Sequence, residues 1–104
     1  MTRGYTSIWA FEVHPEHVVA FRWHYGEGGA WTQLFRRARG YLGTRLLEDR
    51  NDPLRFVTID IWSSVEDYEA FRAEHASEYA ALDRVCEGFT VTETLIGHFV
   101  SAAQ

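Results

Sequence analysis

The sequence has 104 residues, of which 15 are acidic and 10 basic, so its formal net charge is −5. A chain of this length forms one domain with one modest core, and the negative charge argues against nucleic acid or an anionic membrane as a partner. The first residues contain no long apolar stretch. We therefore expect neither a signal peptide nor a membrane span, and we expect a cytoplasmic protein.

The content of cysteine, histidine and aromatic residues limits the kinds of site further. A single cysteine, Cys86, excludes an internal disulfide and a thiolate metal site. The five histidines are scattered without carboxylates spaced to join them, so the sequence predicts no metal site. Aromatic residues make up 15% of the chain, which indicates a ligand cavity, an oligomer interface, or both.

The first half of the chain predicts a strand and an interrupted helix. Residues 5–14 place large apolar side chains at alternate positions, which is typical of a strand with one apolar face. Pro15 suits the first turn of the helix that follows. Glycines in GEGG at 26–29 interrupt this helix, since each costs about 1 kcal/mol in a helix interior; a helix kink or a mobile gate over a cavity would explain them. An apolar stripe resumes at Trp31, and Gly40 is predicted to end the helix.

The second half predicts two strands joined by a turn at 50–53, one long helix and a last strand, over residues 41–49, 54–62, 65–86 and 89–100. The long helix has an apolar stripe at steps of three and four residues, and this stripe includes His75. The order β-α-β-β-α-β predicts an α+β, ferredoxin-like fold, in which two helices cover one face of a four-stranded antiparallel sheet.

The third predicted strand is apolar on both sides. Val57, Ile59 and Ile61 share one side, while Phe56 and Trp62 lie on the other. A sheet with one solvated face alternates more cleanly between apolar and polar side chains. We therefore expect helices to cover one face and a second copy of the chain to cover the other, in a homodimer.

With these elements placed, the chain resembles the antibiotic biosynthesis monooxygenase family of dimeric α+β barrels. The resemblance covers about Tyr5 to Phe99 and rests on element order and on the segments GAWTQLFRRARGYLGTRLLED and VTIDIWSSVEDYEAF. It implies a single family domain over residues 1–104, a sheet-face dimer and a cavity between helices and sheet. These barrels host unrelated reactions, so the likeness specifies the superfamily better than the chemistry.

Two branches of the family bear on the reaction. In the cofactor-free oxygenases, which oxidise polyketide phenols and anthrones to quinones, a tryptophan and a tyrosine match Trp62 and Tyr68. Thr58 stands at their asparagine and Leu82 at their arginine.

The haem-degrading branch matches less well. Its asparagine, tryptophan and histidine correspond to Trp9, Phe71 and Ala81, which argues against haem degradation. Haem binding without degradation is a weaker alternative, favoured only if a histidine reaches the iron.

His75 is the first candidate for a catalytic base. Its place in the apolar stripe predicts that it lies between helix and sheet. A histidine with an unperturbed pKa of about 6.5 can take a proton from a phenol or an enol, and dioxygen reacts with the resulting electron-rich anion. The alternative is a core histidine bonded to a carbonyl or to Tyr79.

Asp60 is the second candidate base. Strand alternation places it on the same side as Trp62, where an unpaired carboxylate would be costly. It could orient His75 or act as a base itself, and it could equally pair with Arg45 or Arg55.

The leading hypothesis is a monooxygenase that needs no metal, flavin or haem and acts on a small aromatic or enolisable substrate. His75 or Asp60 would remove a proton, and Tyr68 would hold the oxyanion. The predicted substrate contacts are Trp9, Thr58, Trp62, Phe71 and Tyr79. The alternative is a dimeric barrel that binds a small ligand, or serves in stress, without catalysis.

Overall fold

The architecture is an α+β sandwich of one sheet and one layer of helices, described for residues 3–102 by a computed structural model. Short 3₁₀ turns precede the first helix and the last strand. The elements in chain order are β1 (Tyr5–Val13), α1 (Val18–Tyr25), α2 (Ala30–Phe35), β2 (Tyr41–Asp49), β3 (Asp52–Trp62), α3 (Val65–Glu74), α4 (Ala76–Cys86) and β4 (Thr90–Val100).

The four strands form one antiparallel sheet in the order β2-β3-β1-β4. The first and third strands are therefore central, as a ferredoxin-like fold requires, and the fold prediction is confirmed. Tyr5 lies opposite Trp62 and Ser7 lies opposite Asp60 in the register of β1 and β3. Since side chains alternate along a strand, these four residues point to the same face.

The helices cover that face and bury an aromatic core. Phe21 and Phe56 are fully buried, and their ring centroids lie 5.1 Å apart. Trp62 is also fully buried and contacts Phe35 with 5.6 Å between centroids. Each large apolar side chain buried in this way contributes about 1.5–3 kcal/mol, so these rings hold the helices to the sheet.

The glycine run ends α1 as predicted. Gly28 adopts a φ of +80°, which glycine reaches without strain. A Cβ at Gly29 would collide with the backbone oxygen of Trp23, so the chain can turn this tightly only with glycine there. The helix resumes close to the predicted point but ends at Phe35, earlier than predicted, and Gly40 (φ +83°) lies in the turn before β2.

Two other predicted boundaries are wrong. The helix predicted over residues 65–86 is two helices, α3 and α4, which meet at His75, where φ is −116° and ψ is 30°. No glycine or proline marks this junction, and the apolar stripe continues through it. The sequence therefore carries no sign of the break. The turn after β2 is also shorter than predicted, because Asp52 and Pro53 already belong to β3.

Within residues 3–102, no helix packs against the opposite face of the sheet. Its apolar side chains, here called the outer sheet face, are Ile8, Leu47, Val57, Ile59, Ile61 and Phe99. Leu47 is 40% exposed and Phe99 is 47% exposed. As predicted, β3 carries apolar side chains on both faces of the sheet. In a single chain, those on the outer sheet face are partly exposed to solvent.

No helix within residues 3–102 is long and apolar enough to cross a membrane.

Candidate functional site

A cavity of about 450 Å³, here called the inner cavity, lies between the helices and the sheet. Small-molecule sites commonly enclose ~300–1,000 Å³, so a compact aromatic ligand fits this volume. Its aromatic lining consists of Trp9, Phe11, Tyr25, Trp31, Phe35 and Tyr79. Its polar lining consists of Thr44, Thr58, Asp60, Arg72, Asp83 and Glu93.

A second depression, of about 490 Å³, lies beside β2 and shares Thr44 with the inner cavity. Exposed Arg36 and Arg45 line it together with the glycine turn. Fewer aromatic rings surround it, and its lining, as far as the structure describes the chain, includes no buried carboxylate. The inner cavity is therefore the better candidate for chemistry.

Asp60 presents a partly buried carboxylate to the inner cavity from β3. Its Oδ1 accepts a hydrogen bond of 2.7 Å from Thr44 Oγ1, and Thr44 in turn lies 2.6 Å from the hydroxyl of Tyr41. Burial raises the pKa of Asp60 to about 6, although the hydrogen bond from Thr44 opposes the rise. A carboxyl group with this pKa is largely ionised at neutral pH and still basic enough to take a proton.

The structure does not support the alternative in which Asp60 pairs with an arginine. Arg55 forms its ion pair with Asp49, at 3.2 Å. Across residues 3–102, no arginine lies within ion-pair distance of Asp60. Its negative charge is thus balanced by a hydroxyl alone, which is consistent with the raised pKa.

His75 lies outside the lining of the inner cavity. It occupies the junction of α3 and α4, with its ring 5.4 Å from the ring of Phe71. Its Nδ1 lies 3.4 Å from Oε2 of the exposed Glu78. Within the described chain, no hydrogen bond joins it to Asp60, so the two candidate bases are not brought together.

Tyr68 reaches the site through a neighbour. Its hydroxyl accepts a hydrogen bond of 3.0 Å from Nη1 of Arg72, and Arg72 does line the cavity. The guanidinium also lies 3.8 Å from the ring centroid of Tyr79, in cation–π geometry. Burial raises the pKa of Tyr79 to about 12, and the charge of Arg72 opposes the rise. Tyr68 and Tyr79 together hold Arg72 at the cavity wall.

Trp62 and Phe71 form a layer behind the cavity. Both are almost fully buried, and both contact Phe35, with ring centroids 5.6 Å and 5.4 Å away respectively. Phe35 is the residue that faces the cavity. The two predicted wall residues thus support the wall and do not form it.

Four of the residues predicted from the sequence line the inner cavity together, namely Trp9, Thr58, Asp60 and Tyr79. Trp9 and Thr58 are direct partners across β1 and β3, and Asp60 follows Thr58 on the same face. This part of the site follows from strand alternation alone, which is why the sequence could predict it.

Four polar lining residues, Thr44, Arg72, Asp83 and Glu93, were not predicted. Thr44 could have been found from the hairpin register, which pairs it with Asp60. Arg72 lies four residues after Tyr68 on a helix, a spacing that allows their contact. Burial, with the charge of Asp83 adding to it, raises the pKa of Glu93. Only the folded chain brings Asp83 and Glu93 together, since they belong to different elements.

Residues 3–102 contain no group of three or more histidine, cysteine, aspartate or glutamate side chains placed to hold a metal ion.

Comparison with known proteins identifies relatives in fold. A family model described as antibiotic biosynthesis monooxygenase matches residues 5–81. No curated protein matches the chain significantly in sequence.

Solved structures match over nearly the whole chain. A proposed antibiotic biosynthesis monooxygenase from Deinococcus radiodurans is similar with a TM-score of 0.78 at 14% identity, covering 96% of this chain and 94% of that one. One from Nitrosomonas europaea gives a TM-score of 0.72 at 17% identity, covering 98% and 93%. A mutant of SnoaB, a cofactor-independent oxygenase from Streptomyces nogalater, gives 0.71 at 19% identity, covering 97% and 95%. At these identities the likeness establishes the fold.

Proposed function

The chain belongs to the antibiotic biosynthesis monooxygenase family, and on this premise we propose that it is a monooxygenase that needs no metal, flavin or haem. Its substrate is a small aromatic or enolisable compound bound in the inner cavity. The observation that carries the proposal is Asp60, a carboxylate with a pKa raised to about 6 among aromatic rings. Perturbed acids in clefts are typical of catalytic sites.

The reaction begins with a proton transfer to Asp60. A phenol or an enol with a pKa of about 10 is only about a thousandth ionised at pH 7, and a neighbouring base removes this limitation. The anion then supplies the electrons that dioxygen accepts, and a carbon–oxygen bond forms. Loss of water cleaves the oxygen–oxygen bond and leaves a carbonyl group. The overall change is R–CH₂–R′ + O₂ → R–CO–R′ + H₂O, so no further reductant is needed.

Arg72 stabilises the negative charge that develops on the substrate oxygen. It lines the cavity and is held by the hydroxyl of Tyr68 and the face of Tyr79. A cation that is already held in place beside an oxyanion stabilises it without the cost of reorganisation. Trp9 and Thr58 contact the substrate from the sheet. Of the two candidate bases, Asp60 is favoured over His75 because only Asp60 faces the cavity.

The active form in this proposal is a homodimer. Two copies of the chain pack through the outer sheet face, which none of the helices between residues 3 and 102 covers. Burying a few hundred Å² of apolar surface is worth several kcal/mol at roughly 25 cal/mol/Å², before the cost of association. A two-fold pair is the commonest arrangement that covers such a face.

A second candidate function is binding of a small ligand without catalysis. Thr58 favours it, because this cavity residue stands where the related oxygenases have asparagine. The same aromatic lining would hold the ligand, and Asp60 would serve only to accept a hydrogen bond from it.

Oxygen uptake separates the two candidates. Purified protein is mixed with a panel of anthrones and phenols under ¹⁸O₂, and the products are analysed by mass spectrometry. The monooxygenase produces one labelled oxygen per product for each O₂ consumed. Tight binding of the panel with no oxygen uptake above the free-solution rate would instead support the binding protein.

A further inference from the structure

A line of four polar side chains crosses the sheet beneath the helices, one from each strand. This polar row consists of Thr44, Asp60, Ser7 and His98. Thr44 pairs with Asp60, Asp60 with Ser7, and Ser7 with His98 in the strand registers. The neighbouring rows contain large apolar residues such as Trp62 and Trp9, so polar groups aligned across the whole sheet are not expected from packing alone.

At each end of the polar row, a hydrogen bond links the two neighbouring side chains. Thr44 donates to Asp60 at 2.7 Å, and Ser7 Oγ lies 2.8 Å from Nδ1 of His98. Asp60 and Ser7 are direct partners across β1 and β3, and the Cβ atoms of such partners lie about 4.5–5.5 Å apart. A rotation of the serine hydroxyl or one bridging water closes that gap.

The residues of the polar row differ in their access to water. Asp60 lines the inner cavity, whereas Ser7 and His98 do not. Ser7 is 3% exposed, and His98, on the edge strand β4, is exposed to solvent. A substrate that fills the inner cavity covers Asp60 on the cavity side. The proton that Asp60 takes must therefore leave by another route.

We propose that Ser7 and His98 form a proton path from Asp60 to solvent, an inference that rests on the proposed function of the inner cavity. After substrate deprotonation, the Asp60 carboxyl passes its proton to Ser7 Oγ, and the serine passes its own proton to Nδ1 of His98. The imidazole then releases a proton from Nε2 to water. Each step moves one proton and no electrons, and Asp60 returns to its basic form for the next turnover.

Other ionisable groups surround this path. Tyr5 stacks on His98 with 5.5 Å between ring centroids, and Tyr68 lies 6.5 Å from the same ring. Burial raises the pKa of Tyr5, which the Ser7 hydroxyl opposes, while the charge of Glu69 adds to the rise. Arg72 reaches this group through the hydroxyl of Tyr68. Of these groups, His98 is the one whose ring nitrogen lies within hydrogen-bond distance of Ser7 Oγ and whose side chain is exposed to solvent.

The first test does not depend on turnover. The carboxyl carbon of Asp60 is titrated by ¹³C NMR in the wild-type protein, in Ser7→Ala and in the control His14→Gln. His14 lies after β1 and contacts the exposed Glu16, so its replacement leaves the titration unchanged. The path requires the Ser7 hydroxyl to reach the Asp60 carboxylate, directly or through one water, and such a contact favours the ionised form, so Ser7→Ala raises the pKa of Asp60. An unchanged Asp60 titration in Ser7→Ala would overturn the path, whatever the protein catalyses.

The second test measures proton release. Under anaerobic conditions, stopped-flow mixing with a nitrophenol follows phenolate formation by colour and proton arrival in bulk water by an indicator dye. In His98→Gln, which keeps a hydrogen bond to Ser7 but cannot relay, proton arrival slows about tenfold or more, and added imidazole restores it in His98→Ala. With air and an oxidisable phenol, kcat falls while KM stays constant.

The outcomes distinguish the path from the proposed function. A wild-type protein that forms no phenolate contradicts the proposed function, and the titration of Asp60 then decides the fate of the path. Phenolate formation with equal proton arrival in wild type and His98→Gln overturns the path alone.

Discussion

Thr44 on β2 donates a hydrogen bond of 2.7 Å to Asp60 on β3, and this is the contact that limits how far burial raises the pKa of the carboxyl group. Burial disfavours the charged form, and the donated hydrogen bond favours it. The balance leaves the pKa of Asp60 at about 6. The pKa of Asp60 therefore depends on the hydroxyl group of Thr44.

Replacing Asp60 by asparagine is expected to remove the base while keeping the size of the side chain. Oxygen uptake with an oxidisable phenol should fall about 10²–10⁴-fold, the range that a positioned base contributes. Asp49→Asn is the control, since Asp49 lies on the surface and pairs with Arg55. Equal rates in wild type and Asp60→Asn, with both proteins folded, would rule out Asp60 as the base.

The rate should also depend on pH. Because only the ionised carboxylate accepts a proton, kcat/KM is expected to rise with pH through about 6 and to level off above it. In Thr44→Val the lost donor raises the pKa of Asp60 further, so the rise in rate moves to higher pH. A profile that is the same in both proteins would show that another group titrates.

The raised pKa of Asp60 also predicts how stability changes with pH. The folded protein holds the Asp60 proton more strongly than the unfolded chain does, so this contribution is complete below about pH 4 and is lost as pH rises through about 6. The loss is at most about 3 kcal/mol, from about 1.4 kcal/mol per pKa unit. Asp60→Asn cannot titrate, so its melting temperature should gain on wild type between pH 4 and pH 8. If the melting temperatures of the two proteins changed equally with pH, this would contradict the raised pKa.

His75 provides a contrast to Asp60. His75→Ala should lower the melting temperature slightly, because the ring packs on Phe71, yet keep the rate per folded molecule. Losing a partly buried hydrogen-bonded side chain of this kind costs about 1–2 kcal/mol. Thermal melts and oxygen-electrode rates on the same sample check this. A loss of rate without a loss of stability would make His75 catalytic after all.

The sequence predicts the sheet side of the site better than the helix side. Strand alternation fixes which face each residue occupies, so the alternation by itself places Trp9, Thr58 and Asp60 on one face. An apolar stripe along a helix is less informative, because one non-helical residue changes the direction in which all later side chains point. The break at His75 does this without a glycine or proline, and it leaves His75 outside the cavity lining while Tyr79 remains in it.

Contacts between distant elements are harder still to predict. Arg72 could be paired with Tyr68 from helical spacing, but its position over Tyr79 depends on the angle between α3 and α4. The approach of Asp83 to Glu93 depends on how β4 lies against α4. Such angles are set by the packing of the whole core, and no local pattern encodes them.

The outer sheet face offers a direct test of assembly. Ile59 lies at the centre of this face, opposite Ile8 on β1. In Ile59→Asp a carboxylate would be buried between two sheets, at a cost of several kcal/mol without a partner charge. We expect wild type to sediment as a dimer at micromolar concentration and Ile59→Asp to sediment as a monomer.

A matched control shows whether the effect belongs to the outer sheet face. Val19→Asp introduces the same charge on α1, where Val19 is 81% exposed and lies on the helix layer. This variant should remain a dimer with an unchanged melting temperature. If the charge at Val19 dissociates the dimer and the charge at Ile59 does not, the helices form the interface. A wild-type protein that sediments as a monomer would leave the outer sheet face open to water in solution and would contradict the dimer.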